Sequence, residues 1–105
     1  RMTPRGAEVA SHILVGDTAY PIENNHIYVA AHQGIKVSCK PFENAQCVII
    51  KEGNSIVLQL LNGIRPLING VKAQSGDKLH TGDQILFEQQ GLRISMITIK
   101  EGQNW

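Results

Sequence analysis

Residues 66 to 87 read PLINGVKAQSGDKLHTGDQILF, and three turn signals crowd into them: Asn69-Gly70, Gly76-Asp77 and Gly82-Asp83. So few apolar residues stand between these pairs that no element here can be long, and a helix with an amphipathic stripe is ruled out. Asn-Gly favours a type I′ hairpin turn because both residues tolerate positive φ. Asn69-Gly70 is therefore expected to join two very short strands, PLI and VKA. Gly76-Asp77 and Gly82-Asp83 bracket Leu79, which should tuck inward before the chain enters QILFEQ. The stretch is expected to fold back on itself along one edge of a β-sandwich.

The rest of the chain follows the same rule. HILV leads to Gly16-Asp17, TAYPI to ENN, and HIYVAA to HQG. GIKVSCK alternates strictly, with Ile35, Val37 and Cys39 on one face and Lys36, Ser38 and Lys40 on the other, as in a half-buried strand. PFENA turns the chain into QCVIIKE, and Gly53-Asn54 turns it into SIVLQLL. LRISMITIK sets Leu92, Ile94 and Met96 against Arg93, Ser95 and Ile97. Helical periodicity is absent, and so is any repeat of solenoid length. Many short strands with Gly- and Asn-rich turns predict an all-β protein, an antiparallel sandwich or barrel.

At 105 residues the chain suits one domain, expected over residues 9–105 behind a loose polar leader, residues 1–8. Hydrophobic content of 42% and charged content of 18% are globular values. The formal charge of +1 gives no strong field for nucleic acid or an anionic membrane, and two Phe, two Tyr and one Trp make a poor base-stacking platform. Apolar runs such as CVII fall far short of the ~18 residues a membrane helix needs. No apolar h-region follows the opening RMTPRGAEVAS, and a chain that starts Arg1-Met2 reads as a piece of something longer.

Two runs carry a family resemblance. Ile68-Asn69-Gly70-Val71, followed by Leu79-His80-Thr81-Gly82-Asp83-Gln84-Ile85, resembles the closing half of a forkhead-associated (FHA) domain, with its VNG turn and LxxGDxI. YPIENNHIYV resembles that family's early strand pair and QCVIIKEGNSIVLQL its central hairpin, so the similarity covers roughly residues 12 to 99. It implies an eleven-stranded sandwich that reads phosphothreonine peptides with loops at one end. The family's phosphate-binding Arg would fall at Ile22-Glu23-Asn24, where an acid stands instead. Its Ser-x-x-His would fall on ENAQCVI, with Glu43 for the Ser and Gln46 for the His. Its Asn-Gly-Thr would match Asn62-Gly63-Ile64, without the Thr.

A phosphate dianion needs charge-assisted donors, and a guanidinium is the strongest of them. The resemblance therefore implies a degenerate member, a non-catalytic module that binds a protein partner without strict phosphothreonine dependence. Such members serve as docking or scaffold domains, with a cytoplasmic setting. Asn62, Arg65 and Asn69 are the candidate partner contacts on turns, and Arg65, Lys40 and Lys72 are candidate replacement charges. A phosphothreonine reader built on those basic residues is the alternative within the family. The same closing stretch also resembles an S4-type RNA-binding domain, which would require a basic helical pair ahead of Asn69.

The remaining chemistry-bearing residues have ordinary readings. Cys39 and Cys47 would face each other across a hairpin centred on Glu43; two core thiols are expected, with a cross-strand disulfide or a reactive or metal-binding role as alternatives. His12, His26, His32 and His80 are scattered, and a site from His26, His32, Cys39 and Cys47 lacks the usual paired spacing. Asp17, Asp77 and Asp83 each follow a turn Gly and are expected to bond backbone. Ser38, Ser55 and Ser95 sit in strands without a nucleophile elbow, and no phosphate-binding Gly motif occurs. No catalysis, cofactor or metal is expected.

Overall fold

The computed structural model describes residues 10–22 and 26–99, which form eleven strands and no helix. The expected leader lies outside the described residues, as do Glu23 and Asn24 of the expected arginine position. The strands are β1 (His12–Val15), β2 (Thr18–Pro21), β3 (His26–Ala31), β4 (Ile35–Ser38), β5 (Cys47–Glu52) and β6 (Ser55–Leu60). They continue with β7 (Leu67–Ile68), β8 (Val71–Lys72), β9 (Asp77–Leu79), β10 (Gln84–Phe87) and β11 (Leu92–Ile97). One sheet runs β2-β1-β11-β10-β7-β8, the other β4-β3-β5-β6-β9, and every pairing is antiparallel. The fold is a β-sandwich.

Alternation along the strands builds its core. Ile27, Val29, Ile49 and Leu58 face inward from the five-stranded sheet, and Ile13, Ile85, Phe87, Ile94 and Met96 face them from the six-stranded one; all are buried. Each fully buried aliphatic side chain contributes roughly 1.5–3 kcal/mol relative to exposure. On the outer face of the five-stranded sheet a second cluster forms, in which Val48, Ile50 and Val57 shield one another beside Tyr28 and Leu61.

The crowded stretch at 66–87 shuttles between the sheets. β7 and β8 form the Asn69-Gly70 hairpin, with φ of 52° and 87° at the two turn residues, and close one edge of the six-stranded sheet. The chain then crosses to give β9 as an edge of the five-stranded sheet, burying Leu79 at 1% exposure, and returns as β10. Closely spaced turns are what a chain needs to change sheets repeatedly.

One pairing differs from expectation. Cys39 and Cys47 are not opposite each other, because β3 lies between β4 and β5: Val37 pairs with Val29, and Val29 with Cys47. The strand ends at Ser38, whose Oγ accepts the Lys40 N–H at 3.1 Å, so Cys39 is exposed beyond it. Both cysteines are free thiols. Burial pushes the Cys47 thiol up to about 12 from 9.0. Cys47 is a core thiol, and Cys39 is not.

Candidate functional site

Antiparallel pairing gathers several connections at one end of the sandwich: 32–34 after β3, 39–46 before β5, 61–66 after β6, and 88–91 after β10. Their backbone is pinned mainly by Gln46. Its N–H donates to Val29 O at 2.8 Å, its carbonyl accepts from Leu61 N–H at 2.9 Å, and its Oε1 accepts from Ala31 N–H at 2.8 Å. One residue thereby ties the ends of β3 and β6 to the entry of β5, through its backbone to both and through its side chain to β3 alone. Spacing marked Gln46 only as standing where a His was expected; nothing in the sequence indicated a clamp.

Two clefts open on this rim, and Gln46 and Ile64 line both. One, of about 710 Å³, is lined by Ala30, His32, Gly34, Ile35, Lys36 and Phe42, together with Asn44 and Asn62. The Lys36 ammonium sits 4.3 Å from the centre of the Phe42 ring, a cation–π contact that fixes the cleft wall. The other, of about 360 Å³, is lined by Arg65, Pro66, Lys72, Phe87 and Glu88 among others. Neither Lys36 nor Glu88 stood out in the sequence; strand alternation placed Lys36 on a polar face and gave no hint of Phe42.

The residues singled out from the sequence separate into three groups. Asn62 and Arg65 lie together on the 61–66 connection. Asn62 adopts φ of 57°, and its Nδ2 donates to Ala45 O at 2.6 Å, so its amide braces one rim loop on another. The Arg65 Nε donates to Ala73 O at 2.9 Å, which places the guanidinium in the smaller cleft with Lys72. Lys72 is paired with Glu88 at 3.1 Å, both side chains about half exposed. Lys40 is exposed on the 39–46 connection and lines neither cleft.

Asn69 belongs to the opposite end, past the two-residue β7, and its side chain is committed there. Its Nδ2 donates to Asp83 Oδ1 at 2.9 Å, and its Oδ1 accepts the Gln84 N–H at 3.0 Å. Asp83 is 4% exposed, and its Oδ2 accepts the His80 N–H at 2.9 Å. Asp77 likewise accepts the Gln74 N–H at 2.8 Å. These turn carboxylates bond backbone.

The histidines do not converge: His12 Nδ1 contacts Ser11 Oγ at 2.7 Å, His80 Nδ1 lies 3.8 Å from Asp83, and His26 and His32 are exposed on separate segments. Among the described residues no group of three or more His, Cys, Asp or Glu is placed to hold a metal ion. No helix among them is long and apolar enough to cross a membrane. Comparison with family models, with curated proteins and with solved structures returns no match to this chain.

Proposed function

We propose that this chain is a non-catalytic protein-interaction module, an FHA-like domain that contacts a protein or peptide partner through its rim loops without strict dependence on phosphothreonine. The observation that carries the reading is the company kept by the candidate replacement cations. Arg65 and Lys72 share a cleft with the Glu88 carboxylate, and Lys72 is ion-paired to it. An incoming phosphate dianion would meet that carboxylate and compete with it for the lysine. Lys40, the other candidate cation, stands outside this cleft.

The neighbouring groove favours a peptide. It combines apolar surface from Ala30, Ile35 and Phe42 with the amides of Gln46 and Asn62, a mixture suited to extended chain and side-chain docking. The segments ahead of Asn69 are strands among the described residues, which speaks against the helical pair that an S4-type RNA binder needs. A scaffold or docking role in signalling fits this reading.

The test is a panel of matched threonine and phosphothreonine peptides titrated against the protein. Affinities should agree within about threefold; a rise of about tenfold or more on phosphorylation would overturn the reading.

A further inference from the structure

β4 is an outer strand of the five-stranded sheet, and its free edge has a defined chemistry. The Gln46 N–H donates to Val29 O, so Val29 turns its backbone groups toward β5; Ala31, two residues on, does the same with its N–H on Gln46 Oε1. Tyr28 and Ala30 therefore turn toward β4 and bond Ser38 and Lys36, their register partners. It follows that Ile35 and Val37 aim their N–H and C=O groups away from β3, along an edge that no other described strand covers.

Sandwich edges are normally blunted, and the other three here are. β2 ends in Pro21, β8 has two residues, and β9 has three and begins with Asp77. β4 has four residues, all extended and without proline, and its one charge is the exposed Lys36, which deters a like edge and suits an acidic strand. Clefts flank it on both sides. One is the groove of Lys36, Phe42 and His32, and the other, of about 460 Å³, lies where Ile35 meets Leu14, Leu92 and Arg93 of the six-stranded sheet. Neither lining contains an Asp or Glu, whereas each contains a cation, Lys36 or Arg93.

We infer that β4 is a docking edge for an extended acidic peptide, which adds as a sixth strand to the five-stranded sheet. Main-chain bonds to Ile35 and Val37 supply the attachment, and the two grooves sort alternate side chains. Residues level with Ile35 and Val37 share the face on which those two side chains and Leu92 pack against the core, and are apolar. Those level with Lys36 point outward and are Asp or Glu. A second copy of this chain fits less well, because β4 against β4 would bring the two Lys36 side chains to one short edge. The inference rests on the reading of the chain as a binding module but not on its rim loops.

The experiment is a titration of the full chain with a short blocked peptide of alternating Val and Glu, followed by amide NMR and hydrogen exchange. The expected result is binding with exchange at Ile35 and Val37 slowed by about tenfold or more. Lys36→Glu, at an exposed position, should weaken binding by about fivefold or more. N-methylating alternate amides of the peptide should abolish it, and so should Val37→Pro, which removes an outward N–H. Absence of binding, equal binding of a Val-Lys peptide, or shifts confined to 61–66 would each overturn the edge assignment; the last would leave the module reading intact. Concentration-dependent dimerisation with protection at Ile35 and Val37 would overturn it in favour of a second copy.

Discussion

Asn69 and Asp83, fourteen residues apart in the chain, are joined by a 2.9 Å hydrogen bond from the Asn69 Nδ2 to the Asp83 Oδ1. Through it the turn of the β7–β8 hairpin is latched to the corner where β9 gives way to β10. Asp83 is buried, and its second carboxylate oxygen holds the His80 N–H, so the carboxylate organises both sides of the corner.

Removing that carboxylate leaves two part-buried donors, the Asn69 Nδ2 and the His80 N–H, without their acceptor, which costs about 1–3 kcal/mol. Asp83→Ala should lower the unfolding free energy by that amount in urea denaturation. Asn69→Gly keeps the positive φ but loses the amide, and should cost about 1 kcal/mol. The double variant should cost less than the sum, with a coupling of about 0.5 kcal/mol or more; strict additivity would show that the two side chains do not act together.

The thiols should report the strand order directly. With a chromogenic disulfide reagent, the native protein is expected to react rapidly at Cys39 and slowly at Cys47, which is buried and held protonated. Denaturant should release the second thiol. Two fast native thiols, or none, would contradict the placement of β3 between β4 and β5.

Cys47 also gives a pH dependence of known sign. Its folded pKa lies near 12 and its ordinary value is 9.0, so above pH 9 the unfolded chain sheds a proton that the folded chain retains. The associated stability is fully present below pH 9 and is lost as pH rises toward 12, at a slope of up to about 1.4 kcal/mol per pH unit. Comparing urea midpoints of wild type and Cys47→Ala across this range isolates the effect, since the variant lacks that component of the slope.

Glu88 should act as a brake on anion binding in the cleft of Arg65 and Lys72. Glu88→Gln is expected to tighten inorganic phosphate binding by about threefold at low salt, a modest gain because the pair is half exposed. Phosphorus NMR measures it; unchanged affinity would remove Glu88 from the account.

Much of the fold could be read from residues. Alternation in LRISMI and the turn at Asn69-Gly70 are local signals, enforced by burial of one face and by φ tolerance at one pair. The partner of GIKVSCK was not local. An adjacent strand suggested a hairpin, but the connection from 39 to 46 is long enough to step over a neighbour, and two strand spacings are only ~10 Å. Once β3 occupies that slot, Cys39 loses its expected place. Asn69 was hidden for a different reason: turn geometry explains an Asn there fully, and its amide contact with Asp83 depends on a sheet crossing that spacing alone does not encode. Gln46, Lys36 and Phe42 were equally invisible, because their contacts join segments that meet only at the rim.

The pairing of β1 with β11, His12 against Ile97, closes the six-stranded sheet with the two ends of the described chain. During synthesis on the ribosome, β1 and β2 can pair as a local hairpin, but that hairpin must wait for β11 before it joins the rest of its sheet. Until β11 emerges, the cover over Ile49 and Leu58 lacks Ile94 and Met96. Joining β1 to β11 is thus a long-range event, and a nascent chain that still lacks β11 exposes apolar surface that favours aggregation.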